Sequence, residues 1–501
     1  MSFAALPSHV RRTKILATVG PATDRPDLLT ALFGAGADAV RLNFSHGNDA
    51  EHRTLLRRIH AAARRTGREI AVVGDVQGPK IRVGEISGTS VALVAGQRWT
   101  LDSDPRPGSN RRVGVQIPSL GRAARSGDPV LLGDGNVELE VVRSERRSIE
   151  TKVISGGVVS SHAGLFLPRA RLRTSAFAAK DRLDAALGLA EGIDYLALSF
   201  VRNGEDLREA RQWLDRRPHG RDVGLIAKVE RAEALESIDS ILKAADGIMV
   251  ARGDLGIEVP LERLALEQKR LVREANLAGK FAIVATQMLL SMVNSPRPTR
   301  AEATDVANAV LDGADAVMLS EESAVGKYPI EAVRWLDRIA RATEGSFDPR
   351  PLRESEPLDR GEGERAVAAA AVRLAEGVNA RAVVTPTHSG RTARLVSRLR
   401  PSCPVVALSN SASTRRRLAL VGGVLSLPAP VHRDLVELRT RAAELVSQAG
   451  LGQTGPIVLT AGYPVEGRPT NLVTLVDSDS ERPVGQPGGA RRGSRSRRAG
   501  R

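Results

Sequence analysis

The chain has 501 residues and a formal charge of +15, with 42% hydrophobic residues but only 8 Phe, 3 Tyr, 3 Trp and one cysteine. A single cysteine, Cys403, excludes an internal disulfide framework and any multi-cysteine metal site, and no apolar run approaches the length of a membrane span. Six arginines lie in a Gly/Arg/Ser-rich stretch after Pro483, and without them the charge is +15 − 6 = +9; this stretch reads as a disordered tail over 479–501, with no aromatics for base stacking, so a nucleic-acid partner is not expected.

From the N-terminus, the opening MSFAALPSHVRRTK lacks the apolar core of a secretory signal, and a cytoplasmic protein is the expectation. Short apolar runs then begin at Ile15, Ala39, Ile70, Tyr195, Gly224, Gly247, Phe281 and Ala316. Near-continuous apolar runs predict parallel strands buried on both faces. Their start-to-start intervals are 24, 31, 125, 29, 23, 34 and 35 residues. Six of these suit one βα unit each, and the third must hold an inserted domain. Eight units predict a (β/α)8 barrel over 1–82 and 171–345, with its chemistry at the C-terminal ends of the strands. The insertion, 83–170, reads as β: VALVAGQRWTLD, PVLLGDGNVELEVVR and IETKVISGGVV alternate or run apolar, with Gly and Asp at the turns. A charged, Pro-bearing linker follows Phe347. A second α/β pattern then runs to 478, and its alternating order predicts a mainly parallel sheet. Cys403, in PSCPVVAL, is expected in the core of that sheet.

Candidate site residues cluster at the barrel strand ends. In RLNFSHG, Arg41, Asn43 and Ser45 are two apart and share a face; a cation beside neutral oxygens suits an oxyanion and a metal, while a solvated strand terminus is the plainer alternative. AKVERAE offers Lys228 and Glu230, and RGDLG offers Asp254 at a strand end leading into a helix. The two carboxylates can converge on one hard divalent cation, with Lys228 facing a phosphoryl group or enolate oxygen. The alternative is a structural Lys–Glu pair. ATQML adds Thr286, and GDVQGPKIR adds Asp75, Lys80 and Arg82. No Walker A sequence follows a strand, nor does a GxGxxG. Metal-assisted electrophilic chemistry on an anionic substrate remains.

The stretches RLNFSHG, GDVQGPKIR, AKVERAE, DGIMVARGDLGIE, ATQMLLSMVNSPRPTRAEATDVANAVLDGADAVMLS and THSGRTARLVSRLRP, in this order over about Thr13 to Asn471, resemble pyruvate kinase. The resemblance implies a TIM barrel with an inserted small β-barrel cap domain and a C-terminal α/β regulatory domain. It implies transfer of the phosphoryl group of phosphoenolpyruvate to ADP, the last step of glycolysis. Glu230 and Asp254 match Mg²⁺ or Mn²⁺ ligands, Lys228 and Arg41 phosphoryl contacts, and the Gly253 and Asp254 amides with Thr286 the substrate carboxylate site. Thr286 also lies near the family's proton-delivery route. Asn43, His46 and Arg82 match nucleotide-side contacts, with Ser320 nearby. Relatives with Glu at the Lys80 position need K⁺, held by residues matching Asn43, Ser45 and Asp75; Lys80 supplies a charge of its own, so weak or absent K⁺ dependence is expected. Glu321 and Ser323 stand where Gly and Thr are usual. Ala163, Phe166 and Arg169 depart from the family at the hinge returning from the cap. In the regulatory domain Thr387, Ser389, Gly390, Arg391 and Thr392 begin a helix and suit a phosphate; a capped βα turn is the plain alternative, and a phosphorylated effector is what the resemblance adds. It also implies a homotetramer. A metal-dependent pyruvate aldolase on the same barrel would share the metal, Arg41 and the carboxylate pair, without needing the cap, Arg82 or His46.

Overall fold

Eight runs with side chains withdrawn from water pair edge to edge until the sheet closes. They are β1 (Lys14–Thr18), β2 (Ala39–Asn43), β3 (Ala71–Val76), β4 (Tyr195–Leu198), β5 (Gly224–Val229), β6 (Gly247–Ala251), β7 (Phe281–Ala285) and β8 (Ala316–Leu319). All pairs are parallel, neighbours follow chain order, and β1 joins both β2 and β8, as expected. A computed structural model describes residues 11–79, 81–115, 121, 124–133, 135–168, 175–350, 353, 363–430, 434–462 and 469–477. Lys80, Arg169 and the expected tail lie outside the described residues.

Seven of the strands are buried at every position; β2 departs only at Arg41 and Asn43, both half-buried. Burial on both faces is what a strand needs when side chains fill the barrel on one side and helices cover the other. The helices are set by local signals. Asn48 accepts from the amides of Ala50 and Glu51 to start helix Asp49–Thr66, and Gly67 ends it at φ +65°. Thr299 and Glu302 form the same reciprocal cap on helix Arg300–Leu311.

The insertion between β3 and β4 is a separate sheet domain. Strands Arg98–Asp102, Arg112–Gly114, Pro129–Leu132, Val137–Glu145, Ser148–Ser155 and Leu165–Phe166 form one six-stranded sheet; Ser90–Leu93 and Gly157–Ser160 pair as a ribbon. Its core gathers around Trp99, Leu139 and Val141, all buried. The last domain holds β9 (Val383–Pro386), β10 (Val405–Ser409), β11 (Val424–Pro428), β12 (Pro456–Ala461) and β13 (Leu472–Asp477) in the order 11-10-9-12-13. The first four are parallel and β13 is antiparallel, so the sheet is mainly parallel. Cys403 is buried here, and burial pushes its thiol up to about 12.

This domain seats on the N-terminal mouth of the barrel. Tyr195 and Phe281 meet edge to face there, 5.3 Å between centroids. They belong to one apolar cluster that runs from the barrel interior into Leu418, Val405 and Val383. The opposite mouth is left for the inserted domain and the site.

Candidate active site

Strand register brings four neighbouring ends together. Asn43 pairs with Asp75, Asp75 with Ala197, and Ala197 with Ile226, so the groups just beyond these positions share one mouth. Asp75 is the hub and is 1% exposed. Its Oδ2 accepts from Arg41 Nε at 2.6 Å, and its Oδ1 accepts from Lys228 Nζ at 3.2 Å. Burial works to raise this carboxyl, but Lys228 and Arg41 hold it below the usual carboxylate range.

Lys228 Nζ also donates to Ser199 Oγ at 2.7 Å and pairs with Glu230 Oε1 at 3.0 Å. Ser199 in turn donates to the Val76 carbonyl at 2.7 Å. Burial works to strip the proton from Lys228; Asp75 and then Glu230 reverse that and raise its pKa. The two carboxylates therefore favour the charged ammonium, which is tied to three partners. The Lys–Glu pair expected as a plain alternative does exist, but it is buried and shared with Asp75, unlike a surface ion pair.

Glu230 lies one residue past β5. Its Oε2 accepts from the Phe200 amide at 2.7 Å, and Phe200 takes φ +56° at that turn. Burial raises the Glu230 pKa, Lys228 opposes, and the charges of Asp254 and Asp75 raise it further. A buried carboxylate held beside other negative charge is a group that a divalent cation would relieve. Glu230 and Asp254 fit Mg²⁺ or Mn²⁺, which use one or two protein carboxylates and leave positions for water and substrate oxygens. Among the described residues no three His, Cys, Asp or Glu side chains converge as a metal cage.

Asp254 and Gly253 lie in the short helix Arg252–Glu258, directly after β6. The Gly253 amide donates to Thr286 Oγ1 at 2.8 Å, and that hydroxyl donates to the Ala285 carbonyl at 2.6 Å. The amide expected to receive the substrate carboxylate is thus satisfied by Thr286 in this conformation. Thr286 and Gln287 have φ +70° and +56°. Gly253, Asp254 and Thr286 line a cleft of about 920 Å³ that also takes in Ser320 and Glu321 and is walled by Leu131 and Gly135 of the inserted domain. Ser320 is fixed by its neighbour: buried Glu322 accepts from the Ser320 amide at 2.7 Å and from the Leu289 amide at 3.0 Å. Ser323, in place of the usual Thr, is buried and donates to the Thr18 carbonyl at 2.8 Å.

Among the residues expected to meet the nucleotide, Asn43 Oδ1 accepts from the Ser45 amide at 3.1 Å. β2 ends at Asn43, so Ser45 sits in the turn, and strand alternation does not set its direction as expected. His46 is exposed, and its carbonyl meets His52 Nε2 at 2.7 Å. Arg82 bridges to Gly164 of the returning hinge and donates to the His162 carbonyl at 3.0 Å. The loop of Thr387, Ser389, Gly390, Arg391 and Thr392 belongs to the other domain. Gly390 has φ +81°, its amide donates to Thr387 Oγ1 at 2.9 Å, and Arg391 pairs with Glu364 at 2.5 Å. Thr392 Oγ1 lies 2.6 Å from Thr470 Oγ1.

Two supports of the site are not among the residues the sequence singles out. Ser199, in YLALSFV, carried the signal of a polar residue ending a buried strand. Arg252 carried none, since its partners come from other elements.

The family model "Pyruvate kinase, barrel domain" matches residues 10–333, and "Pyruvate kinase, alpha/beta domain" matches residues 365–476. A pyruvate kinase of Agrobacterium vitis is 43% identical over 460 residues, 91% of this chain and 95% of that protein. One from Sporosarcina psychrophila is 40% identical over 471 residues, 93% of this chain and 80% of that protein. A crystal structure of a pyruvate kinase from Cryptosporidium parvum superposes with a TM-score of 0.89 at 34% identity, covering 93% of this chain and 96% of that one.

Proposed function

The chain belongs to the pyruvate kinase family and is a phosphotransferase, and on that premise we propose how its residues carry the reaction. Phosphoenolpyruvate sits with its carboxylate at the Gly253 and Asp254 amides and Thr286, displacing the Thr286 hydroxyl from the Gly253 amide. Its phosphoryl group faces Arg41 and Lys228. An ADP oxygen attacks phosphorus, the bond to the enolate oxygen breaks, and the enolate carbon then takes a proton on the Thr286 side. Lys228 and Arg41 offset charge on the group in flight; such transfer is mostly positioning and charge stabilisation. Held by Glu230 and Asp254, Mg²⁺ or Mn²⁺ would act as a Lewis acid toward the phosphoryl and enolate oxygens. Asn43, His46 and Arg82 face the nucleotide. The observation that carries this reading is Lys228, buried and charged between Asp75, Ser199 and Glu230.

We assign weak or no K⁺ dependence to Lys80. Of the residues matching a monovalent-cation site, Asp75 is already balanced by Arg41 and Lys228, which leaves little negative charge for a further cation. We also propose that the Thr387–Thr392 loop binds a phosphorylated small molecule, with the phosphate competing for Arg391 against Glu364. A cytoplasmic homotetramer follows from the same reading; among the described residues no helix is long and apolar enough to cross a membrane.

The test is ATP formation from phosphoenolpyruvate and ADP with Mg²⁺, which an aldolase would not give. Replacing K⁺ by a large organic cation should leave turnover within about twofold, and Lys80→Glu should create a K⁺ requirement. Turnover that collapses without K⁺ in the parent enzyme refutes the Lys80 assignment. Adding sugar phosphates or AMP to the same assay tests the effector loop.

A further inference from the structure

A threonine in the left-handed region is a conformational outlier, because its branched Cβ crowds the following carbonyl. Thr286 takes φ +70° and Gln287 follows at +56°, where β7 ends and the cleft begins. Such a backbone persists only where its surroundings over-determine it. The surroundings here converge on one side chain. Arg252 Nη2 donates to the Thr286 carbonyl at 2.8 Å and meets Met288 Sδ at 2.9 Å, while Arg252 Nε donates to the Ala285 carbonyl at 3.3 Å. The other arm is braced: Nη1 pairs with Asp305 at 2.7 Å and donates to Gln268 Oε1 at 3.2 Å. The Arg252 side chain is only 13% exposed. The same residue begins the helix whose next two members are Gly253 and Asp254, so one guanidinium fixes both the Thr286 turn and the start of that helix.

We propose that Arg252 is a positioning residue: its fork, braced by Asp305 and Gln268, holds the Ala285 and Thr286 carbonyls so that the Thr286 hydroxyl is kept at the substrate carboxylate position, beside the Gly253 amide that it gives up to the substrate. A point charge alone would not do this. Two carbonyls and a carboxylate are met at once by a planar fork with several donors, whereas a lysine ammonium on a flexible stem cannot span them. The proposal rests on the reading of Thr286 as part of the substrate site.

The test is a cycle of Arg252→Lys, Thr286→Gly and the double variant in the full chain, read as kcat and KM for phosphoenolpyruvate and for ADP. Glycine adopts φ +70° without strain, so the double variant has no hydroxyl left for Arg252 to place. In the parent background Arg252→Lys should lower kcat by about 100-fold, the scale of a misplaced reacting group, with KM for ADP within about twofold. In the Thr286→Gly background the same change should cost less than about 3-fold, because the two residues act as a unit. Equal losses in both backgrounds, or none in the parent, overturn the proposal while leaving the reading of Thr286 intact. A Thr286→Gly enzyme with parental kcat overturns both. Should Arg252→Lys not fold, Gln268→Met removes one brace and leaves Arg252 in place; it should lower kcat by about 10-fold in the parent and leave the Thr286→Gly enzyme unchanged, and an equal loss in both again overturns the proposal.

Discussion

Lys228 is charged in a place where burial alone would strip its proton. Two carboxylates reverse that balance, and the result is a fixed positive charge that needs no rearrangement when negative charge builds up nearby. Preorganised charge of this kind lowers a barrier because its cost is met during folding and not during the reaction. Lys228→Met should therefore lower kcat by about 10²- to 10³-fold. It should also destabilise the ligand-free protein by about 3 kcal/mol, since removing one member of a buried ion pair leaves Glu230 uncompensated. The two effects separate on titration with Mn²⁺. A cation at Glu230 and Asp254 should restore much of the lost thermal stability and none of the lost turnover. Melting curves with and without the metal, beside a coupled ATP assay, check this. If Mn²⁺ leaves the melting temperature of the variant unmoved, Glu230 is not where the cation binds. Ser199 has a quieter part: it donates to the Val76 carbonyl and so offers its lone pair to Lys228, which fixes the direction of the ammonium as well as its charge.

At the scale of elements, the site is a product of strand ends and the turns that follow them. Gly78, two residues past β3, has φ +64°, and a Cβ built there would lie 2.9 Å from the Ser199 carbonyl oxygen. Its amide donates to Asp181 Oδ1 at 3.0 Å, so the turn leading toward the inserted domain is clamped between the residue that orients Lys228 and the cap of helix Ala179–Glu191. Gly78→Ala cannot be accommodated by a flexible neighbour, because the clash is with backbone. It should cost about 1–3 kcal/mol, from the left-handed φ together with the contact, and lower kcat through Ser199. Urea denaturation and kcat measured on one preparation check both, and an unchanged kcat would uncouple this turn from Lys228. The eight barrel strands were legible because a strand buried on both faces leaves an unmistakable apolar run. Arg41, Lys228 and Asp254 were legible because each interrupts such a run at its C-terminal end. Strand alternation does not place Ser45, because β2 stops two residues earlier and the period fails in a turn. Arg252 and the order of strands in the inserted sheet were not legible, since both depend on partners far away in the chain that no local period encodes.

In the whole molecule, the barrel is loaded from both mouths. Helix Ala412–Leu418, with the sequence ASTRRRL, spans the gap between the Thr387–Thr392 loop and the barrel floor. Thr414 Oγ1 donates to the His388 carbonyl at 2.7 Å. On the other side Arg415 pairs with Glu69 at 2.6 Å, Arg416 with Asp194 at 2.9 Å, and the Arg417 carbonyl accepts from Tyr195 Oη at 2.9 Å. Asp194 directly precedes β4 and Tyr195 opens it, and this strand leads to Ser199 and Phe200 beside Lys228 and Glu230. Asp194 is 1% exposed, and burial raises its pKa to about 6 although Arg416, the Val72 amide and Arg417 all favour the charged form. Between the ordinary carboxylate value of about 4 and the folded value, the native protein holds a proton that the unfolded chain has released. Stability from this group is therefore greatest below that window and falls as pH rises through it. Asp194→Asn removes the titration and keeps an acceptor for the Val72 amide. Relative to the parent, the variant should gain about 2 kcal/mol between pH 4 and pH 7, measured by urea denaturation at each pH. A difference that stays flat across that range would mean that Arg416 keeps Asp194 charged throughout, and that the floor of the barrel is an ion pair at every pH.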